Sequence, residues 1–197
     1  FYTILDDVFA LRDMDDAADG GKVKERYNGS GATVRGFNVE GRAAFTRWFE
    51  LQAGVTLQQS RYKEPEFWSE DAEVPPVRRM FRTPDAYGYF TASFKPVRNF
   101  TADLSGTCTG SMLVQHMAGS GVAQDVAVST PSFFDMNIRL SYDVRIYKEI
   151  TMQLYGGVQN LFNAYQKDFD KGVDRDSGYI YGPSLPRSWF VGAKFSF

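Results

Sequence analysis

The chain alternates apolar and polar residues right up to its final position, and this pattern constrains the fold more than any other feature of the sequence. Trp189, Val191, Ala193, Phe195 and Phe197 fall on one face of an extended segment, with Ser188, Gly192, Lys194 and Ser196 on the other. A period of two marks a strand with one apolar side. The pattern recurs upstream. Phe37, Val39, Gly41, Ala43 and Phe45 alternate with Asn38, Glu40, Arg42 and Ala44, and Phe49, Leu51, Ala53, Val55 and Leu57 with Glu50, Gln52, Gly54, Thr56 and Gln58. Residues 86–95, 100–108, 134–143 and 150–159 repeat it, and residues 1–10 do so more weakly. Ile146, Ile150 and Leu154 also suit a helical spacing of four, but Gly156-Gly157 and the similar segments around them favour strand. About eight strands result, each long enough to cross a bilayer at a tilt.

The connections predict how these strands are used. Three are tight (46–48, 96–99 and 144–149) and four are long and polar (12–31, 62–84, 111–131 and 161–186), in strict alternation. Transmembrane barrels have short periplasmic turns and long extracellular loops. This order therefore predicts an all-β, antiparallel transmembrane barrel in a bacterial outer membrane, with Phe197 on the periplasmic side. Trp48, Phe49, Phe94, Phe100, Tyr142, Tyr147, Phe195 and Phe197 gather toward the short turns, where an interfacial aromatic girdle belongs. A mean hydropathy of −0.35 is compatible with this, because a barrel strand shows lipid only every second residue. The competing reading is a soluble β-sandwich or barrel. Against it stand the charges at mid-strand on the polar face: Glu40, Arg42, Glu50, Asp103, Arg139 and Asp143 suit a wet lumen.

Chemistry is sparse. A net charge of −2 argues against a nucleic-acid partner. The single cysteine, Cys108, excludes an intrachain disulfide, and no nucleophile-elbow, phosphate-loop or zinc signature appears. The one histidine, His116, lies in what reads as a flexible loop among Met112, Met117 and Gly119. An enzyme is therefore not expected. Asp13, Asp15 and Asp19 in one long connection, and Asp168 and Asp170 in another, are dense enough in carboxylates to hold Ca²⁺. Solvated Asp-rich turns are the alternative, and the spacing does not match an EF-hand loop. The connection at 62–84 combines Tyr62, Phe67, Trp68 and Phe81 with Arg78, Arg79 and Arg82, the mixture of aromatics and charge that a ligand-capturing surface uses. The alternative is a loop folded on itself with its aromatics tucked over the barrel mouth.

Two stretches resemble TonB-dependent outer-membrane receptors. Asn160-Leu161-Phe162-Asn163-Ala164-Tyr165 resembles that family's motif at the outer end of the penultimate strand. Gly182-Pro183-Ser184-Leu185-Pro186-Arg187 resembles its approach to the last strand, and Gly192 followed by a terminal Phe197 resembles its ending. Upstream, residues 27–41 look like a family strand opening. Phe190 departs from the pattern, which often has a polar residue two before the glycine. The resemblance implies TonB-dependent import of a scarce nutrient such as a ferric siderophore, haem, cobalamin or a glycan. Residues 1–197 would form the C-terminal part of a larger barrel whose plug and earlier strands are absent. The chain does not begin with Met and opens inside an apolar run, which fits a piece of a longer protein. The implied partners are outer-membrane lipid, the protein's own plug facing the lumen residues, TonB through that plug, the nutrient, and a surface lipoprotein. The barrel-assembly machinery would read Gly192, Phe195 and Phe197. Two rivals are a self-contained eight-stranded adhesin or structural anchor, and a soluble all-β binding module.

Overall fold

A computed structural model describes residues 1–14 and 23–197, with side chains described for 1–9 and 25–197. Among these residues there are thirteen strands and no helix: β1 (Tyr2–Leu5), β2 (Phe9–Met14), β3 (Val23–Asn28), β4 (Ala32–Thr46), β5 (Phe49–Glu66), β6 (Val77–Arg79), β7 (Ala86–Val97), β8 (Phe100–Thr109), β9 (Leu113–His116), β10 (Val126–Ser129), β11 (Phe133–Tyr147), β12 (Ile150–Gln159) and β13 (Ser188–Ser196). Nine of them form one antiparallel sheet, eight in the order β1-β4-β5-β7-β8-β11-β12-β13 and β6 beside β5 off this path. This sheet is the barrel wall anticipated from the alternation. It is not closed: β1 and β13 are its two ends.

The register carries the alternation across the wall. Ala43, Leu51, Ala92, Leu104, Ile138, Val158 and Trp189 are successive cross-strand partners, so one row of the apolar face spans seven strands. On the other face Glu50, Ser93, Asp103 and Arg139 are partners in turn. The apolar face is turned outward, with Phe37 60% and Val191 90% exposed. A soluble domain of this size would bury such residues; here the large side chains lie outside, and among the described residues the buried apolar cluster lies in the loops rather than behind the wall.

Glycines sit directly opposite aromatics at four places in the ladder: Gly54 and Tyr89, Gly106 and Phe90, Gly157 and Phe190, Gly192 and Tyr155. Each ring lies over its glycine. A β-carbon would stand 2.7 Å from Tyr89, 2.3 Å from Phe90, 2.8 Å from Phe190 and 2.5 Å from Tyr155 in the four cases. At Gly157 it would also stand 2.0 Å from the Ile138 carbonyl oxygen.

Three expectations about the connections need correction. The tight turns are shorter than predicted, only two residues each: Arg47-Trp48, Arg98-Asn99 and Lys148-Glu149. Each follows a register shift, between Ala44 and Thr46, Phe94 and Val97, and Arg145 and Tyr147. Pro96 therefore lies in a strand rather than a turn, at a bulge where its missing N–H leaves no gap in the ladder. The run at residues 1–10 is two strands, because the chain bends at Asp6-Asp7. The long connections are also largely built structure. β5 runs on to Glu66 and gains β6 as a neighbour, β2 pairs with β3, and β9 with β10. These hairpins stand clear of the lipid-facing band, so they need no apolar alternation and leave little period-two signal.

Candidate functional site

The loops at the long-connection end assemble into an ordered cap with its own small core of Val114, Tyr179 and Tyr181, against which Met112, Val128 and Phe133 pack. Val114 comes from β9 and the tyrosines from the 160–187 connection, so the core joins segments far apart in sequence. Gln166, 1% exposed, ties the connection to itself. Its Nε2 donates to the Tyr179 carbonyl at 3.1 Å, and its Oε1 accepts from the Tyr181 N–H at 2.9 Å.

A titratable cluster lies beside this core, with Tyr179, Tyr181 and His116 buried and Asp168 open to solvent. The Tyr179 hydroxyl donates to Asp168 at 2.6 Å, and the Tyr181 hydroxyl donates to the other oxygen of that carboxylate. His116 stacks on Tyr179 with ring centroids 3.7 Å apart, and its Nε2 lies 3.0 Å from both Asp170 oxygens. The Asp176 N–H donates to Asp170 at 3.0 Å. Burial raises both tyrosine hydroxyls and Asp168 adds to the effect, taking Tyr181 to about 12. Burial also works against the Asp168 carboxylate, but the two tyrosine hydrogen bonds outweigh it and hold the carboxyl below its usual range. The Asp176 N–H, followed by His116, holds Asp170 low as well. His116 is thus part of a built strand and 6% exposed, which corrects the expectation of a flexible loop around it.

The candidate capture residues share this end of the molecule. Tyr62 ends up on β5, and Arg78 and Arg79 on β6. Trp68, 8% exposed, packs edge-on against Phe81 at 5.3 Å, while Phe67 is 70% exposed. Arg79 donates to the Ser111 carbonyl at 2.7 Å and pairs with Asp85 at 3.0 Å. Arg82, at a φ of 56°, donates to the Ile180 carbonyl at 3.0 Å and to that of Gly178. Arg78 lies 3.8 Å from Glu64. Two of the three arginines therefore staple one loop to the next, and Phe67, Arg78 and Arg82 are the exposed members. Asp168 and Asp170 are taken up by Tyr179, Tyr181 and His116. Asp13, Asp15 and Asp19 lie outside the residues whose side chains are described. Among the described residues no three His, Cys, Asp or Glu side chains converge as a metal site would require.

The lumen candidates all fall on the polar face. Gln52 donates to Glu40 at 2.9 Å, Arg42 pairs with Glu50, and Ser93 donates to Asp103 at 2.7 Å. Gln153 accepts from Arg139 and donates to Asp143, and the Arg139 guanidinium lies 4.7 Å over the Tyr155 ring that Gly192 admits. Asn160, 2% exposed, locks the outer end of β12. It accepts from the Ala164 N–H and donates to the Ala164 and Leu185 carbonyls, each at 2.8 Å, while Asn163 accepts from the Arg187 N–H at 2.9 Å. The sequence motif there is a backbone clamp. Gly192 lies in β13, with Phe195 52% and Phe197 93% exposed.

Sequence reasoning missed Tyr179, Tyr181, Gln166 and the role of His116. The alternation Tyr179-Ile180-Tyr181 was the one local signal; the pairing of His116 with Asp170 spans 54 residues and left none.

An open antiparallel wall with an apolar exterior, a polar inner face and capping loops defines the class: part of a transmembrane-type β-barrel. Among solved structures, the ferric-catecholate import receptor Fiu of Escherichia coli K12 in its closed form matches 98% of this chain with a TM-score of 0.61 at 19% identity. Two variants of the ferric enterobactin receptor PfeA of Pseudomonas aeruginosa match the same share at 15% identity, with TM-scores of 0.61 and 0.62. The chain spans 24% of the Fiu chain and 27% of each PfeA chain. No family model and no curated protein matches the sequence.

Proposed function

We propose that this chain forms wall and outer loops of an outer-membrane barrel that imports a scarce nutrient in a TonB-dependent manner, with a ferric chelate as the foremost cargo class ahead of haem, cobalamin or a glycan. The observation that carries this reading is the superposition of nearly the whole chain, loops included, on part of a ferric-catecholate import receptor. The open edges of β1 and β13 support it. A strand edge exposed to lipid leaves N–H and C=O groups unsatisfied, so further strands complete the ring in a membrane. A plug then faces Glu40, Arg42, Glu50, Asp103, Arg139 and Asp143 and couples to TonB. Tyr62, Phe67, Trp68, Arg78, Arg79, Phe81 and Arg82 belong to the mouth that meets cargo. The assembly machinery reads Gly192, Phe195 and Phe197 from the periplasmic side. The domain assignment of residues 1–197 to the C-terminal barrel portion belongs to this same proposal, as does a surface lipoprotein over the loops.

The test is a deletion of the gene in the source cells, with growth measured on single ferric chelates and in a second strain lacking TonB. Loss of growth on the same chelate in both strains is the expected result. Unimpaired growth and uptake on every cargo class, with a heat-modifiable band near the 22.3 kDa of this chain, would replace the transporter by the eight-stranded anchor.

A further inference from the structure

A groove of about 260 Å³ crosses the outer, apolar side of the wall, from Phe100 on β8 past Leu140 and Tyr142 on β11 and Leu154 on β12 to Val191 on β13. The register builds it. Phe100, Tyr142 and Leu154 are successive cross-strand partners, and two residues further from the short turns so are Leu140, Gly156 and Val191. Gly156 interrupts a row of large apolar side chains, and the gap above it is the floor of the groove.

The protein does not fill this gap itself. At Gly157, on the polar face, a β-carbon would stand 2.8 Å from the Phe190 ring; at Gly156 it would stand 3.2 Å from the Phe190 carbonyl oxygen, and the nearest side chain, Val191, would be 3.9 Å away. The short-turn end of β4 and β5 is built differently. There the rings of Phe45, Phe49 and Phe94 stack on one another, with centroids 5.5 and 4.7 Å apart. An open apolar trough marks a binding surface, and in a wall that faces lipid the matching occupant is a chain of methylenes.

Charge selects the lipid. Each short turn begins with a cation, Arg47, Arg98 or Lys148, and the three hold one acid between them, Glu149. Arg98 and Lys148 belong to the two turns that flank the groove, one leading into Phe100 and the other joining the strands of Tyr142 and Leu154. Both are exposed, and among the described residues neither enters an ion pair. Lys148 lies 5.2 Å over the Tyr147 ring, and Arg145 steadies the turn by donating to the Lys148 carbonyl at 2.7 Å. At the opposite end of the wall Arg78 and Arg79 face Glu64 and Asp85 instead. Unpaired Lys and Arg at the membrane surface attract anionic headgroups, and aromatic residues beside them mark that level.

With the wall spanning the membrane as proposed above, on which this site rests, we infer that the groove holds one acyl chain of an anionic phospholipid in the leaflet on the short-turn side, and that Arg98 and Lys148 take its phosphate.

The test places the full-length protein in phosphatidylcholine vesicles doped with a trace of phosphatidylglycerol that carries a diazirine in its acyl chain. Adducts are mapped by peptide mass spectrometry, with a phosphatidylcholine probe of the same design in parallel. Adducts of the anionic probe should concentrate on Leu140, Tyr142 and Leu154. They should exceed those on Phe45 and Phe49, beside Arg47, by about tenfold, and those of the neutral probe at the same residues by about as much. Gly156→Leu fills the floor, and Arg98→Gln combined with Lys148→Asn removes the charge, asparagine being suited to the φ of 43° at that position. Each should bring the adducts down to the level at Phe45, whereas Arg47→Gln should leave them unchanged. The charge variant keeps the groove intact and decides the matter if Gly156→Leu loses its heat-modifiable fold. Adducts spread evenly over the outer face, or equal for the two probes, overturn the site while leaving the wall in the membrane. Absence of adducts from the whole outer face overturns the wall and the site together.

Discussion

The wall and the cap solve opposite problems with the same chain. In the wall the backbone ladder runs strand to strand from β4 to β13 while large apolar side chains point away from the protein. In the cap the ladders are short, β9 pairing with β10 over only four residues, and side chains supply the order: Gln166 and Asn160 bond inward to backbone, Asp168 ties two tyrosine hydroxyls, and His116 pairs with Asp170. The wall depends on lipid for its apolar surface and on nothing polar outside the ladder. The cap depends on water being kept from a handful of polar groups. Damage to one region should therefore leave the other standing.

The largest expected separation comes from charge on the outer face. Leu140 lies at mid-strand in β11 and is 46% exposed; Leu140→Arg should cost the wall about 2–4 kcal/mol, and Thr151→Arg at an exposed position of the polar face far less. Urea titration of the heat-modifiable form measures both. Gly157→Ala comes next. Its β-carbon meets a backbone oxygen that has no room to move, so about 1–3 kcal/mol should be lost, whereas Gly41→Ala, with nothing within 4 Å, should be tolerated. In the cap, Gln166→Leu strands the Tyr179 carbonyl and the Tyr181 N–H. A local loss of about 1–3 kcal/mol should show as faster loop proteolysis with the heat-modifiable band unchanged, and loss of that band would refute the independence of the two regions.

Acidity should also divide them. Asp168 and Asp170 are depressed in the folded cap, so the stability they contribute is present above the ordinary carboxyl value of ~3.9 and is lost as pH falls through their lower folded values. Tyr181 is raised, so its contribution is present below the ordinary ~10 and disappears as pH climbs through about 12. Loop proteolysis followed against pH should be slowest between these limits, and a flat profile would show that the cluster does not hold the cap. The smallest effect is expected for Arg42→Gln in the wall. Its pair with Glu50 is 66% and 38% exposed, and no change in unfolding should be measurable.

The same division explains what was legible in the sequence. The wall was readable because lipid on one side and water on the other impose a strict period of two, visible even in the short run from Trp189 to Phe197. Its limits were blurred where the imposition stops: β5 continues eight residues past Gln58 as a ribbon outside the bilayer band, where both faces tolerate polar residues. Cap residues answer to partners distant in sequence. Arg82 reaches the Gly178 and Ile180 carbonyls across nearly a hundred residues, and nothing local distinguishes it from any exposed arginine. Asn160 is the exception, because its partners lie mostly within one turn of chain and the motif around it has a fixed spacing.

The rings seated over glycines bear on how such a wall finds its alignment. Alternation rejects a slip of one residue, since every side chain would change face, yet it is blind to a slip of two. A slip of two between β12 and β13 would set Tyr155 against Phe190 or Lys194 instead of Gly192, and between β7 and β8 would set Phe90 against Leu104 or Cys108 instead of Gly106. In each case the ring meets a side chain where it had only a hydrogen. The pairs act as a vernier on the ladder, marking the one offset at which neighbouring strands lie flush.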